Sequence, residues 1–369
     1  MARLIALDFA LGLDLELAIR DCVEHANAFC VLDQRLSARQ RLEQLAQLGA
    51  TEQWNATGRS TVDGGQPVDD DVGVVMLTSG SSGRPKAALL SWSALASSAR
   101  ITQASLRDGA DPVWFPVLPA NHIGGLAVIL RAVFDDASLW WGDSTDFAAA
   151  LAHGATHVAV VRPQLARNDL SGFQSVLLGG ARPPEVTASN VISTWGMTET
   201  GSGVVYNGLA LAEVDIASAG GELLVRSPTL FSAYRDAPRP QVVGPDGRDD
   251  WFPTGDGGVV VDGRLSVHGR LAYVINTGGE KVWPDHLEAT IATLPHVRDV
   301  AVTGVEDPEW GQRVIAFIVG DGTNVDQAIR SVATERIGPW AKPKEIRYVA
   351  AIPRTASGKI RRADLRYLH

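Results

Sequence analysis

The chain has 369 residues, of which 45% are hydrophobic and 20% charged, and its formal net charge is −9. This length favours a large domain followed by a smaller one, and the composition is that of an ordinary globular protein. The negative charge argues against nucleic acid or an anionic membrane surface as the main partner. Local basic residues must therefore meet any anionic ligand.

The first apolar segment of the sequence is predicted to belong to the protein core. The apolar stretch 4–13 is short, is interrupted by Asp8, and lacks the basic start and small-residue cleavage site of a signal peptide. No apolar run approaches the roughly 20 residues of a membrane span. Two cysteines, Cys22 and Cys30, do not make a disulfide framework. With His25 they would supply only three of the four ligands that a structural zinc site needs. We therefore expect a cytoplasmic protein without a zinc site here.

A phosphate-binding loop is predicted after the apolar run 72–77. Residues 78–83, TSGSSG, form a flexible segment whose hydroxyls and backbone N–H groups can bind an anion. Lys86 adds a compact positive charge suited to phosphate. Pro85 and Ala87 stand where a Walker A loop needs a glycine and a magnesium-binding hydroxyl, which excludes that motif. The alternative is a solvent-exposed turn.

The remaining elements predict α/β layering around parallel sheets, followed by a compact α+β unit. Strands are expected at 157–161, 175–178 and 222–226, and helices at 94–106 and 126–134. Residues 236–250 form a Pro-, Gly- and Asp-rich surface loop. Beyond residue 270 we expect a strand near 274, a helix at 284–294, strands at 300–305 and 314–319, a helix at 325–337 and a strand at 346–349. The domain boundary is placed at 269–271.

The sequence TSGSSGRPK at 78–86 resembles the signature of adenylate-forming enzymes, the superfamily of acyl-CoA synthetases, luciferases and peptide-synthetase adenylation domains. Further segments resemble this family's motifs in the same order, although Ala87 replaces a usual glycine. The resemblance implies an α/β fold with two domains. Residues 1–269 would be a large adenylation domain, trimmed at its N-terminus, with the ATP and acid sites. Residues 270–369 would be a small, mobile α+β lid domain with the catalytic lysine.

The resemblance also implies two half-reactions. A carboxylate attacks the α-phosphate of ATP to give an acyl-adenylate and pyrophosphate, and a thiol, usually that of CoA, then displaces AMP. ATP, Mg²⁺ and CoA are therefore the expected ligands. The catalytic residues implied are Lys86, His122, Thr198, Glu199 and Lys359.

The segment WGMTET at 195–200 resembles the family's magnesium motif. Glu199 would hold Mg²⁺, Thr198 would donate to the α-phosphate and Trp195 would face adenine. The alternative is a buried aromatic residue beside a helix start, with Glu199 as a first-turn acid. Asp256, in a segment that resembles the family's TGD motif, would accept hydrogen bonds from the ribose, although a tight-turn aspartate is the alternative. The ATP and AMP contacts implied by the resemblance are Thr78, Ser79, Gly80, Ser81, Ser82, Gly83, Lys86, Gly179, Gly180, Ala181, Trp195, Gly196, Met197, Thr198, Asp256 and Arg270.

Two C-terminal segments resemble the parts that alternate at the active site in this family. The segment PRTASGK at 353–359 would bring Lys359 to the substrate carboxylate and the α-phosphate during adenylation. The loop 274–281 would replace it during thioester formation. Its glycines are Gly278 and Gly279. The family usually carries an acidic residue at the pivot, where this chain has Ala272 and Tyr273, so rotation about this point is left open.

The segment PANHIGG at 119–125 resembles the family's substrate motif, in which a histidine, here His122, lines the acyl pocket. Arg131 lies nine residues further on, along a predicted helix, where a lone arginine is usually solvated or ion-paired. Three local stretches resemble the o-succinylbenzoate–CoA ligases of menaquinone synthesis: 162–165, 205–208 and 304–313. In that subfamily a basic residue at this place helps receive the second carboxylate, which would otherwise be desolvated without a partner. The acid contacts implied are His122, Arg131 and Gly180.

We therefore expect a ligase that makes o-succinylbenzoyl-CoA from small-molecule substrates, without nucleic acid or membrane insertion and with a homodimer left open. One alternative is a ligase for another aryl or short acyl acid. A peptide-synthetase module is less favoured because no carrier domain follows Lys359. A nucleotide-binding protein without turnover is favoured only by the altered pivot, since both Glu199 and Lys359 are present.

Overall fold

A computed structural model describes residues 1–78, 85–106, 111–135, 137–180, 188–321, 323–354 and 358–368. The chain divides into two compact units. The first contains residues 1–216, 225–252 and 262–265, and the second contains residues 217–224, 253–261 and 266–369. The functional boundary predicted at 269–271 stays a prediction.

Strands and helices alternate along most of the described chain. The strands are β1 (Leu4–Asp8), β2 (Ala28–Val31), β3 (Glu52–Asn55), β4 (Gly58–Thr61), β5 (Val72–Thr78), β6 (Lys86–Ser91), β7 (Val113–Phe115), β8 (Ser138–Leu139), β9 (His157–Val161), β10 (Ser175–Gly179), β11 (Val191–Met197), β12 (Ser202–Tyr206), β13 (Leu209–Ala210), β14 (Asp215–Ala219), β15 (Glu222–Arg226), β16 (Ala233–Tyr234), β17 (Ala237–Pro238), β18 (Phe252–Val261), β19 (Arg264–Arg270), β20 (Ile275–Thr277), β21 (Glu280–Val282), β22 (Val297–Asp307), β23 (Gly311–Gly320) and β24 (Glu345–Tyr348). The helices are α1 (Leu13–Glu24), α2 (Ala38–Leu48), α3 (Trp92–Leu106), α4 (Ile123–Phe134), α5 (Phe147–Ala152), α6 (Arg162–Arg167), α7 (Pro284–Ile291) and α8 (Asp326–Arg336), with 3₁₀ turns at Thr198–Thr200, Leu271–Tyr273, Pro339–Ala341 and Arg362–Tyr367.

The first unit contains a sheet with the strand order β17-β16-β6-β5-β2-β1-β3-β4, in which β5, β2, β1 and β3 are parallel. Residues 4–7 of β1 are fully buried, which confirms that the start of the chain is core. A continuous apolar run of this kind is typical of a parallel strand covered on both faces. A second run of strands in this unit has the order β13-β12-β11-β10-β9-β7-β8 and is parallel from β11 to β8. The predicted α/β class is confirmed.

Two helices show how local sequence sets these elements. Helix α2 begins after Ser37, whose hydroxyl accepts from the backbone N–H of Gln40 while the Gln40 side chain accepts from the N–H of Ser37. The helix ends at Gly49, which has a left-handed φ of 69°. Helix α4 packs against α3 and is buried along most of its length because its sequence, IGGLAVILRAVF, is apolar nearly all round.

The second unit contains the sheet β21-β20-β23-β22, with β24 parallel to β23. Helices α7 and α8 pack on it through residues such as Leu287, Ile291 and Ile329. Helix α7 ends at Ile291, three residues before the predicted end, because the following Leu294 precedes Pro295 and so disfavours helical geometry. The hairpin β22–β23 is longer than predicted at both strands, since backbone pairing continues past the apolar segments.

No helix in the described ranges is both long enough and apolar enough to cross a membrane.

Candidate active site

The strands on both sides of the predicted phosphate loop pair directly with each other. Thr78 ends β5 and is the register partner of Lys86, the first residue of β6. The Thr78 hydroxyl also donates to the Lys86 carbonyl at 3.4 Å. The loop residues themselves lie outside the described residues: Ser79, Gly80, Ser81, Ser82 and Gly83. The described flanks therefore bring the predicted phosphate lysine and the last residue of β5 side by side.

Lys86 and Glu199 meet on either side of one tyrosine that the sequence analysis did not identify. The Lys86 ammonium nitrogen lies 4.9 Å from the centre of the Tyr234 ring. The Tyr234 hydroxyl donates to Glu199 Oε1 at 2.9 Å. Glu199 is buried, with only 9% of its surface exposed. No local motif marks this tyrosine, because its partners lie 35 and about 150 residues away in the sequence.

The predicted magnesium motif forms the end of a strand and the turn after it. β11 ends at Met197, and residues 198–200 form a 3₁₀ turn closed by Gly201 with φ 68°. The Thr200 hydroxyl accepts from the N–H of Met197 at 2.8 Å, which fixes the turn. Thr198 has its hydroxyl 4.0 Å from the Met76 sulfur on β5. This places Thr198 and Glu199 beside the same strand that leads into the phosphate loop.

The glycines predicted to line the adenine and acyl pockets lie at the end of β10. Gly180 has φ 83°, a conformation that favours glycine. At Gly179 a β-carbon would approach the Thr194 hydroxyl at 3.3 Å, so the chain is closely packed there. Trp195 and Gly196 lie on the adjacent strand β11, and a β-carbon at Gly196 would collide with the Ser202 carbonyl. Ala181 lies outside the described residues.

His122 contacts the exposed arginine of an ion pair from the N-terminal part of the chain. It precedes α4, and its Nε2 lies 3.2 Å from Arg35 Nη2. Arg35 also donates twice to the Asp33 carboxylate, each at 2.7 Å. Burial would raise the pKa of Asp33, but the hydrogen bonds from Arg35 outweigh it and hold that pKa below its ordinary value. Because arginine can only donate, His122 Nε2 accepts in this contact and its proton belongs on Nδ1.

Arg131 is buried rather than solvated. It lies on α4, is 3% exposed, and its guanidinium stacks 4.3 Å from the centre of the Trp114 ring. The same tryptophan has its ring centre 5.0 Å from that of His157 and donates from Nε1 to Gln103 Oε1 at 3.0 Å. Burial lowers the pKa of the Arg131 guanidinium, against a smaller opposite effect of Tyr206. The alternative that this arginine is solvated or ion-paired is therefore wrong among the described residues.

Three buried nitrogens around Trp114 lack hydrogen-bond partners in the part of the chain that the structure describes. They are Arg131 Nη1, Gln103 Nε2 and His157 Nε2. Burial also lowers the pKa of His157, and the nearby Arg131 lowers it further. A buried cation beside an unsatisfied amide donor is costly unless an anion or water completes the site. The Arg131 and Gln103 nitrogens are donors, and together they suit a carboxylate. Sequence reasoning missed Gln103 and His157, although a histidine that opens an apolar strand was a weak signal.

The predicted ribose-binding residues form an ion pair in the second unit. Arg270 Nε lies 2.8 Å from Asp256 Oδ1, and Arg270 Nη1 donates to the Thr254 carbonyl at 2.9 Å. Asp256 is buried, whereas the Arg270 side chain is exposed. Gly255 has φ 73°, as expected for the turn in the TGD segment.

The two C-terminal loops predicted to alternate at the active site also lie in the second unit. Gly278 and Gly279 connect β20 to β21 with φ values of 59° and 85°, the left-handed pair of a tight hairpin turn. Lys359 follows Gly358, whose carbonyl accepts from Arg354 at 2.7 Å. Residues 355–357 lie outside the described residues.

The altered pivot belongs to a 3₁₀ turn that contacts a buried arginine. Ala272 and Tyr273 lie in the turn Leu271–Tyr273, and the Tyr273 ring centre is 5.3 Å from the Arg362 guanidinium. Arg362 is paired with Glu288 and donates to the Val302 carbonyl at 2.7 Å. The aromatic ring therefore has a cationic partner where the family usually has an acid.

Residues 16–235 match the family of AMP-binding enzymes, and residues 286–359 match the AMP-binding enzyme C-terminal domain. The chain belongs to the AMP-binding enzyme family. This assignment agrees with the resemblance found in the motifs at 78–86, 195–200 and 353–359.

Relatives of this AMP-binding enzyme include several acid–CoA ligases. A probable 2-succinylbenzoate–CoA ligase of Mycobacterium tuberculosis is 35% identical over 332 residues, 82% of this chain and 85% of the relative. An indoleacetate–CoA ligase of Aromatoleum aromaticum is 31% identical, over 82% of this chain and 69% of the relative. The fold matches o-succinylbenzoate CoA synthetase from Bacillus subtilis in complex with its acyl-adenylate OSB-AMP. That match has a TM-score of 0.82 and 22% identity, and it covers 98% of this chain and 88% of the other.

The donor set of this AMP-binding enzyme fits a magnesium ion that arrives with a nucleotide. Within the described ranges no group of three or more His, Cys, Asp or Glu side chains could hold a metal by itself. Mg²⁺ is commonly held by one or two carboxylates together with substrate phosphates. Glu199, which is buried and accepts a hydrogen bond from a tyrosine hydroxyl, could supply such a carboxylate.

Proposed function

We propose that this enzyme is a 2-succinylbenzoate–CoA ligase, which joins o-succinylbenzoate to CoA with ATP and Mg²⁺ and serves menaquinone synthesis. The names and coverage of its relatives support this reaction class. The observation that carries the choice of acid is the buried cation Arg131, which lacks an ionic partner among the described residues and lies near the unsatisfied amide nitrogen of Gln103. A second carboxylate on the substrate would complete that group.

The first half-reaction joins the acid to AMP. A carboxylate oxygen of the acid attacks the α-phosphorus, and the bond from that phosphorus to the pyrophosphate oxygen breaks. We assign Lys86 to neutralise phosphate charge and Thr198 to donate to the α-phosphate. Glu199 would hold the magnesium ion, which supplies charge neutralisation across the phosphates when bound. The mutual closeness of these three groups along β5, β6 and β11 supports the assignment.

The second half-reaction transfers the acyl group to sulfur. The CoA thiolate attacks the acyl carbon, the bond from that carbon to the phosphate oxygen breaks, and AMP leaves with the electron pair. We assign Asp256 and Arg270 to the ribose, Lys359 to the first half-reaction, and Gly278 and Gly279 to the loop of the second. This exchange requires residues 270–369 to act as a mobile lid on the adenylation domain 1–269, which we propose together with the residue roles.

His122 would line the acyl pocket, with Arg35 fixing its orientation. Gly180 would line the same pocket and the adenine site, because a glycine leaves that space free of a side chain. Trp195 would face the adenine. Two buried free thiols agree with a cytosolic enzyme of small molecules.

The deciding experiment is thioester formation with ATP, Mg²⁺ and CoA, followed by mass spectrometry over a panel of acids. The panel contains o-succinylbenzoate, benzoate, indoleacetate, acetate and medium-chain acids. Thioester from o-succinylbenzoate alone is expected. A thioester from another acid only would replace the substrate, and the indoleacetate ligase among the relatives makes that the second candidate. ATP binding without AMP or thioester for any acid would favour a binding protein without turnover.

The lid proposal has its own test in the same assay. Lys359→Ala should lose adenylate formation while still converting preformed acyl-adenylate and CoA into thioester. Equal loss of both half-reactions would contradict an exchange of two loops at one site.

A further inference from the structure

One tyrosine separates the two opposite charges of the phosphate site. The Tyr234 ring lies under the Lys86 ammonium with 4.9 Å between nitrogen and ring centre, and its hydroxyl donates to Glu199 Oε1 at 2.9 Å. In the described part of the chain, Lys86 and Glu199 thus meet through Tyr234 and not as an ion pair. An ammonium gains from the negative face of an aromatic ring, and a carboxylate gains from a hydroxyl donor.

The tyrosine is itself held rigidly between two strands and an aromatic neighbour. On β16 it is the register partner of Ala88 of β6, which makes Lys86 its diagonal neighbour on the same face. The Phe231 ring packs edge-on against it with 4.8 Å between ring centres. The N–H of Phe231 also donates to the Glu199 carbonyl at 2.9 Å. The segment 231–234 therefore braces Glu199 through both backbone and side chain.

The separation of these charges matters because both would face phosphate or metal. If Lys86 and Glu199 paired directly, nucleotide and metal would have to break that pair before binding. We propose that Tyr234 is a positioning residue that keeps the ammonium and the carboxylate apart and presents each to the nucleotide. This inference rests on the proposed function for the roles of Lys86 and Glu199, and it adds the residue that sets their geometry.

The ring and the hydroxyl of Tyr234 act on different partners, so two variants separate their effects. Tyr234→Phe keeps the ring under Lys86 and removes the donor to Glu199. Tyr234→Leu removes both. Tyr348→Phe is the matched control, because in the second unit the Tyr348 hydroxyl donates to the Asp326 carboxylate at 3.0 Å and neither residue belongs to the proposed site.

The measurements are the affinity for ATP without metal, by calorimetry, and the binding of Mn²⁺ to the enzyme–ATP complex, by electron paramagnetic resonance. Tyr234→Phe should weaken Mn²⁺ binding about tenfold, in keeping with a lost hydrogen bond to a charged group, and leave metal-free ATP affinity within about twofold. Tyr234→Leu should in addition weaken metal-free ATP binding by about fivefold, because the Lys86 ammonium is released from the ring. Tyr348→Phe should change neither value.

The proposal would be overturned if Tyr234→Phe bound Mn²⁺ as tightly as the wild-type protein. It would also be overturned if the two Tyr234 variants had equal affinities for metal-free ATP. Thermal unfolding of Tyr234→Phe near that of the control would show that its loss of metal binding is not a folding defect. These readouts need no acid substrate. If the wild-type protein binds ATP and Mn²⁺ as expected but makes no thioester from o-succinylbenzoate, the proposed function fails while this inference stands.

Discussion

Replacing Arg131 by methionine should stabilise the free protein and remove its preference for a dianionic acid. The side chain is 3% exposed and stacks on Trp114, and its Nη1 has no acceptor among the described residues. Methionine has a similar length and an adaptable apolar chain, so it can occupy the same space against the indole ring. The free energy of unfolding of the free protein is thus expected to rise while the preference for a dianionic acid falls.

The magnitudes follow from the contacts. An unsatisfied buried donor costs about 1–3 kcal/mol, and more when it is charged. The desolvated stacking on Trp114 returns about 2 kcal/mol. Because this donor is charged, the upper end of that range applies, and Arg131→Met should be about 1 kcal/mol more stable than the wild-type protein without ligand. Truncating one partner of a buried charge pair costs about 2–5 kcal/mol, so kcat/KM for o-succinylbenzoate should fall by roughly 30- to 5,000-fold.

The assay compares two acids and two proteins. Initial rates of thioester formation are measured for o-succinylbenzoate and for an analogue that lacks the second carboxylate, and thermal unfolding is recorded with and without each acid. The wild-type protein should gain stability from the dianionic acid, by about 2.7 kcal/mol at a hundredfold excess over Kd, and the variant should not. Rates with the analogue should be unchanged. A destabilised variant that keeps the wild-type ratio of kcat/KM between the two acids would refute the reasoning.

Three further results are expected. Arg35→Lys should raise KM for the acid about tenfold, because lysine cannot bind Asp33 through two nitrogens and still reach His122, the residue proposed to line the acyl pocket. Steady-state kinetics with the acid varied would check this, and an unchanged KM would remove Arg35 from the site. Arg362→Met should destabilise the second unit by about 3–5 kcal/mol near neutral pH, since it leaves the Glu288 carboxylate buried without its cation. Burial already raises the pKa of the Glu288 carboxyl in the folded protein. The lost stability of the variant should therefore return as the pH falls toward 4.5, the ordinary carboxyl pKa, and be lost again as the pH rises. Denaturant unfolding at a series of pH values measures this dependence. Cys22 and Cys30 should resist a thiol reagent near pH 8 in the native protein and react when it is unfolded, because burial raises the pKa of Cys30 to about 12 and that of Cys22 as well; rapid labelling of the native protein would contradict their burial.

The fold was predictable where hydrophobic runs and elements coincide. The strand 157–161 occupies the predicted residues because it is apolar and buried on both faces. The hairpin β22–β23 could not be delimited, since its ends are polar and continue only because two backbones pair across the ladder. Helix α7 was predicted too long because its apolar spacing continues past the point where Pro295 ends helical geometry.

The candidate site was predictable where a single segment carries the chemistry. Lys86 and Glu199 were identified from local motifs, and the structure brings them to opposite sides of Tyr234. Tyr234 itself, and Gln103 beside Trp114, carry no local signal because their importance arises from contacts between distant strands and helices. Sequence reasoning finds residues whose neighbours along the chain define them, and it misses those defined by neighbours in space.

Some charged side chains of the first unit are paired with an opposite charge, whereas others contact only an aromatic ring or a hydroxyl. This difference agrees with the proposed substrates. Exposed arginines such as Arg100 are paired with carboxylates on the surface. Among the described residues, the ammonium of Lys86 and the guanidinium of Arg131 have aromatic rings as partners instead, and Glu199 has a hydroxyl. An aromatic ring or a hydroxyl orients a charge without neutralising it, so each group keeps most of its attraction for a ligand. Two cations and one carboxylate left in this state match a nucleotide polyphosphate, a second carboxylate and a divalent metal. Arg131 and Glu199 are buried, so the charges that cost the free protein most are among those that ligand binding would neutralise.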